Sequence, residues 1–425
     1  MGLGPGYWRL WTASVVSNLG DGVSLVAYPW LAGTLTRDPV AIAAVALATR
    51  LPWLLVSLPA GAIVDRVDRA RLMVAMNAAR AVLTGGVAVA VLTGVMTLPL
   101  LCASALLLGI AEVLYDNAAQ SILPRIVAAD RLERANANLW SAEDIAGRLA
   151  GPPLGGFLIG AGLAVPFLFD AGSFAVSAAL IMLIANAAKP LPAEAPAERG
   201  SLRSEIAEGV RWLWGHTLLR ALALLLGGML ALNNVAFATE VLFAQELLGL
   251  DARGFGLLLT ASAIGGVAGA QLAPLLTRWL GAGGVLRAAI GGWGVTMVVS
   301  GLTSSPLVFG AAGVVSAALA VAWNVVTVSL RQTVIPDRLL GRVNSVYRLI
   351  GWGSMPIGAA IGGGLVALIS AWAGREAGLR GPFLIAGALN LVLMAVAWRT
   401  LTTARIDEAR AAGPRPQVEG EGAVG

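Results

Sequence analysis

The chain has 425 residues, of which 57% are hydrophobic and only 12% charged, with a mean hydropathy of +0.79 and a formal net charge of +5. A soluble globular protein carries roughly 25% charged residues, so this composition excludes a soluble domain and places most of the chain in a lipid bilayer. One cysteine (Cys102) and one histidine (His216) exclude a disulfide framework and a thiolate or imidazole metal cluster.

Apolar runs long enough to cross a bilayer recur twelve times: 8–35, 39–64, 72–98, 99–122, 137–162, 164–187, 218–245, 253–278, 283–304, 306–332, 344–371 and 380–403. The start, MGLGPGYWRLW, lacks the charged region and cleavage site of a secretory signal, so the first helix is expected to be retained. With both ends inside, only Arg37, Arg253, Arg375 and Arg380 fall outside and Arg50, Arg80 and Arg148 fall within helices; the other Lys and Arg are cytoplasmic. That is the positive-inside bias, and it removes the need for a nucleic-acid partner to explain the net charge.

The first span carries Ser14, Ser17, Asn18, Asp21, Ser24 and Tyr28 at three-and-four spacing. The second has Arg50 at mid-depth before Pro52, where an unpaired guanidinium is very unfavourable. Asp21 is its first expected partner, because consecutive helices usually neighbour each other, and Glu112 its second. After the second span comes GAIVDRVDRAR, five charges between two apolar segments. The fourth span gives Glu112, Asp116 and Gln120 at four-residue steps. In the fifth, Asp144 and Arg148 are spaced for a structural pair that Glu143 or Arg80 can join. Asp170, near the outer end of the sixth, reads as a cap or packing residue.

A polar connection follows, first Pro- and Ala-rich, then with Leu202, Ile206, Val210, Leu213 and Trp214 at helical spacing among charges, as in an amphipathic helix on a membrane surface. The predicted organisation is an N-terminal six-helix bundle over 1–187, a cytoplasmic linker over 188–217, a C-terminal six-helix bundle over 218–403 and a cytoplasmic tail over 404–425. The seventh span brings Asn233, Asn234 and Glu240, and the tenth Trp323, Asn324, Thr327 and Arg331. Intramembrane ionisable groups are costly, so each is a functional candidate.

The two halves repeat. DRLERANANLWSAEDIAGRLAGPPLGG from Asp130 and DRLLGRVNSVYRLIGWGSMPIGAAIGGG from Asp337 align at an offset of 208, placing Arg134, Asn136, Gly155 and Gly156 on Arg342, Asn344, Gly363 and Gly364. In the fifth span, Gly147, Gly151 and Gly155 put small residues on one face, where another helix can approach closely, and Pro152 and Pro153 weaken the local hydrogen-bond ladder. The pattern fits a moving interface between halves.

An all-α protein of twelve spans in two pseudo-symmetric bundles resembles the major facilitator superfamily, over residues 7–403. GAIVDRVDRAR matches the superfamily's G-x-x-x-D-R-x-x-R loop through Gly61, Asp65, Arg66 and Arg69, with Asp68 where a glycine is usual. GRLAGPPLGG matches the fifth-span G-x-x-x-G-P-x-x-G-G motif of antiporters and drug exporters through Gly147, Gly151, Pro152, Gly155 and Gly156. With SNLGDG in the first span, the pattern is most similar to the enterobactin-exporter and macrolide-efflux branch.

The resemblance implies a secondary active transporter in a bacterial inner membrane, a monomer without cofactors, exporting a drug-like, macrolide-like or siderophore-like molecule in exchange for protons. It implies that the 61–71 loop latches the cytoplasmic side against the eleventh span at Arg342. It also implies a central cavity lined by the first, fourth, seventh and tenth helices. Asp21, Asn18, Arg50, Glu112, Asp116, Asn233, Asn234, Glu240, Trp323 and Asn324 are the candidates for substrate contact or proton coupling. An importer or facilitator on the same fold, a membrane scaffold and a membrane enzyme are the alternatives. The last lacks a phosphate-binding G-x-x-x-x-G-K-S/T loop and any assembled catalytic set.

Overall fold

The computed structural model describes residues 3–64, 67–127, 131–185 and 202–412. In chain order the helices are α1 (Pro5–Leu35), α2 (Pro39–Leu55), α3 (Ser57–Val64), α4 (Arg69–Leu92), α5 (Leu98–Ile126) and α6 (Leu132–Glu143). A π-helical segment (Asp144–Ala150) leads into α7 (Gly151–Ala161), followed by α8 (Val165–Ala185) and the linker helix α9 (Leu202–Gly215). Then come α10 (Thr217–Phe237), α11 (Glu240–Glu246), α12 (Ala252–Leu302), α13 (Pro306–Val334), α14 (Asp337–Gly353), α15 (Met355–Ala373), α16 (Arg375–Ala397) and α17 (Thr403–Ala412).

Local chemistry sets the boundaries. Pro5, Pro39 and Pro306 open helices at the first position, where a missing N–H costs nothing. Asp38, Asp68 and Asp251 cap α2, α4 and α12 by accepting from the N–H groups of Val40, Arg71 and Gly254. Asp68, the departure from the usual glycine, therefore serves as the N-cap of the third span.

Among the described residues eight helical stretches are long and apolar enough to cross a membrane, two of them the broken passes α10–α11 and α14–α15. The 51-residue α12 bends back at Gly281, whose φ of 70° suits a residue without Cβ, and so makes two passes. Four passes are interrupted: α2–α3 after Pro52, the fifth at its π-helical turn before Pro152 and Pro153, α10–α11 at Ala238–Thr239, and α14–α15 at Ser354 before Pro356. The second arm of α12, α1, α2–α3 and the fifth pass, added to those eight stretches, give twelve passes in two groups of six.

The largest contacts between the groups are two symmetry-related ones: α2 packs on α15, and α7 on the first arm of α12. The cores show how the halves are disposed. One apolar core runs through both, joining Val26, Ile42 and Phe167 with Phe243, Phe255 and Phe383. At the other end two separate cores stand, one of the N-terminal half around Tyr7, Met73 and Ile181, the other of the C-terminal half around Leu213, Leu286 and Tyr347. The molecule is closed at the end of the 36–38 and 247–251 loops and split at the end that carries α9 and α17.

Candidate functional site

The polar stripe of α1 radiates to its neighbours. Ser14 donates to Glu143 at 2.9 Å, Ser24 to Asp170 at 2.6 Å, and the Tyr28 hydroxyl lies 3.3 Å from that of Ser104. Asp21 takes Arg80 of α4 as its ion-pair partner. Asn18 turns back onto the Ser14 carbonyl at 2.9 Å. The stripe thus ties the first span to the third, fourth, fifth and sixth.

Arg80, rather than Arg50, is the counter-ion of Asp21. Its guanidinium is 3% exposed, stacks 3.9 Å over the Phe174 ring and reaches the side chain of Asn77 at 3.5 Å. Asn77 in turn donates to Ser177 at 2.8 Å. Arg50 is exposed on the opening between the halves, and the carboxylate whose field reaches it is Glu112. Consecutive helices mislead here because α2 packs on α5 and α15 and touches α1 only lightly. The side chain of Gln120 lies outside the described residues.

Glu112 and Asp116, half-buried on α5, lie within electrostatic reach of Asp21 and Arg80. Asp170 joins the same group, within electrostatic reach of Asp21 and Arg80. It is 1% exposed and accepts from Ser24 and Ser173, so it is a member of the cluster and no cap. The signal for Arg80 and Asp170 was their intramembrane position; what was missing was the rotation of their helices.

In the C-terminal half, Asn234 is turned onto the Leu230 carbonyl at 2.9 Å. Asn233 and Glu240 line a cavity of about 140 Å³ with residues of α12, α13 and α16. Asn324 is exposed, whereas Trp323 is 2% exposed inside the separate C-terminal core and offers no ring face for stacking. Arg331 is 8% exposed, donates to Asn344 at 2.8 Å and stacks 4.1 Å over Tyr347, binding the tenth pass to the eleventh.

Of the 61–71 loop, Gly61 lies in α3 and Arg69 opens α4; Asp65 and Arg66 lie outside the described residues. Arg342, on α14, pairs with Glu208 of the linker helix α9. The fifth-span glycines divide their roles. A Cβ on Gly147 would sit 3.3 Å from the Asn18 carbonyl, and one on Gly155 2.8 Å from that of Val23, so that face packs on α1. The contact across the halves is made by Gly156, against Ala252 and Arg253, and by Pro152 against Gly256. Asp144 and Arg148 pair at 3.2 Å, both exposed.

The closed end holds a network absent from the sequence expectations. Arg375 makes two 2.9 Å bonds to Glu246 and a third to the Arg37 carbonyl, and the Arg37 guanidinium bonds Gln245. Arg37 belongs to the first half and the other three to the second.

Residues 6–419 match the family described as transmembrane secretion effectors. The multidrug efflux pump Tap of Mycolicibacterium fortuitum is 27% identical over 400 residues, 91% of this chain and 93% of that protein. Among solved structures, a bacterial homologue of the iron transporter ferroportin in its inward-facing state superposes with a TM-score of 0.73 at 18% identity, covering 95% of this chain and all of that one. The outward-facing form of such a homologue gives 0.56 at 17% identity, over 93% of this chain and all of the other.

Proposed function

Because the chain belongs to the transmembrane secretion effector family of major facilitator transporters, we propose that this multi-pass membrane protein exports a small amphipathic or hydrophobic molecule by alternating access, in exchange for protons. The observation that carries the reading is the charge balance at mid-depth of the N-terminal half. Asp21, Glu112, Asp116 and Asp170 interact there with Arg80, and Glu112 also with Arg50. Guanidinium groups stay charged, so two of four carboxylates are balanced and the others become neutral only by holding protons. Once the split closes over Glu112 and Asp116, uncompensated charge there is costly, which couples the occupancy of the cluster by protons to closure.

The Asp21–Arg80 pair joins α1 to α4, and α1 also reaches the closed end through Gly33, beside Gln245. A proton on Asp21 releases Arg80 and loosens α1 against its neighbours, which favours reclosing of the split end and opening of the other. Substrate enters the split between the halves, where Arg50, Glu112, Asp116 and Asn324 are accessible. The 61–71 loop then closes on α14 at Arg342. The relative's printed activity, multidrug efflux, supports a drug-like cargo. We assign both termini to the cytoplasm of a bacterial inner membrane, and a monomer as the working unit.

The test is a transport screen of a chemically diverse panel in a host lacking its own efflux pumps. Expression lowers cellular accumulation of at least one amphipathic compound, and Asp21→Asn or Glu112→Gln abolishes the effect. Raised accumulation in expressing cells would make the protein an importer and overturn the reading.

A further inference from the structure

The cavity of about 140 Å³ in the C-terminal half is lined by aromatic and small residues around a single acid. Its size matters first: an apolar cavity of about 150 Å³ holds one benzene ring, so this one takes a single ring or a compact alkyl head and no whole drug. Phe237, Trp293, Phe309 and Phe383 supply aromatic surface, and Glu240 is the one ionisable group in the wall.

Glu240 is 7% exposed and makes no hydrogen bond or ion pair among the described residues. Asn233, Ser300 and Ser316 also line the cavity without a side-chain hydrogen bond to Glu240, and the other donors of the wall are committed elsewhere. Thr296 donates to the Trp293 carbonyl at 3.1 Å, Trp293 to the Ser316 carbonyl at 2.7 Å, and Ser262 to the Leu258 carbonyl at 3.4 Å. Asp21 and Asp170, by contrast, have Arg80 and the serines of α1 and α8.

An acid enclosed by rings, with no hydrogen bond and no counter-charge, is costly to ionise and holds its proton until a cation arrives. A cation entering the cavity offsets that cost, and aromatic faces attract quaternary and alkylated ammonium groups. A neutral or anionic ligand gains no charge pairing from Glu240. We propose that this cavity is a subsite for a small alkylammonium group, the cationic end of a molecule whose bulk lies outside it. That the molecule is transported rests on the export reading; that the site binds ammonium does not. The position also suits a sensor of occupancy, since Val241, Leu242 and Phe243, next along the chain, belong to the core that joins the halves.

The experiment is equilibrium binding to purified full-length protein in nanodiscs, with choline and its uncharged isostere 3,3-dimethylbutan-1-ol as probes. Choline is expected to bind saturably at one site, about tenfold or more tighter than the isostere. Glu240→Gln should remove that difference, while Asp407→Asn, in the exposed tail, leaves it intact. Equal affinities for the two probes, or undiminished choline binding in Glu240→Gln, would overturn the proposal. Should Glu240→Gln fail to fold, labelling of wild-type Glu240 by a hydrophobic carbodiimide decides instead: choline protects and the isostere does not, and absence of protection by choline counts against the subsite. Binding is read without transport, so failure of the export reading and failure of this one are seen separately.

Discussion

Arg80 organises the polar interior of the N-terminal half, because it is the fully enclosed cation against which Asp21 is balanced. Arg80→Ala strands Asp21, and breaking a buried pair from one side costs about 3–5 kcal/mol; Asp21 is 35% exposed, so the lower figure applies. Thermal unfolding of Arg80→Ala should show that loss, and Asp21→Asn combined with Arg80→Met should recover part of it. A single variant as stable as wild type would mean the pair is ornamental. His216 gives a second test outside the membrane passes. Its Nδ1 accepts from the Leu219 N–H at 3.3 Å as the N-cap of α10, and burial lowers its pKa below the usual imidazole value. The neutral ring is the form that caps, so its contribution is present above about pH 6.5 and is lost as pH falls through the lower folded-state value. His216→Ala should cost about 1 kcal/mol and His216→Asn much less, read by thermal unfolding; being the only histidine, its NMR titration can be followed directly and should fall below the free value. Which residues are ionisable within the membrane was legible in the sequence. Which of them meet was not, because pairing depends on helix rotation, and α2 is turned towards α5 and α15.

At the scale of elements, the fifth pass explains why the internal repeat slips. The sequence aligns Gly155 and Gly156 with Gly363 and Gly364, 208 residues on. In the structure Gly155 and Gly362 face the first and seventh passes, while Gly156 and Gly363 face across the halves, at an offset of 207; a Cβ on Gly364 would meet nothing within 4 Å. The π-helical turn at Asp144–Ala150 accounts for the slip, since a wider turn takes up one extra residue before α7 begins. The glycine motif and the duplication were readable from sequence, but a one-residue change of helical register leaves no mark in a pattern of small residues. Gly363→Val should therefore wedge α15 from α2, where Val40 Cα lies 3.2 Å from the new Cβ, and Gly364→Val should not. Spin labels at positions 35 and 376, at the closed end, should report a longer distance for the first variant only. Equal effects would restore the offset of 208.

Over the whole molecule, closure at one end rests on a shared apolar core and on the network of Arg37, Gln245, Glu246 and Arg375. These charges are partly exposed, and such pairs contribute about 0–1 kcal/mol each. Arg375→Ala should thus shift the populations of the two states by no more than about fivefold, visible as partial opening between the same labels and diminished by salt in the wild type. Twelve passes and two halves were legible because hydropathy reports burial in lipid directly. The direction of the split was not, since it depends on contacts between distant loops that either state can make. Export as proposed depends on protons moving against a substrate through the N-terminal cluster. The most direct measurement is the lumen pH of proteoliposomes containing purified protein and a compound that the export screen identifies. Substrate movement should change lumen pH in wild type, an imposed pH gradient should drive accumulation, and Asp21→Asn and Glu112→Gln should abolish both. Substrate flux that proceeds at the same rate and to the same level whatever the pH gradient would contradict the account.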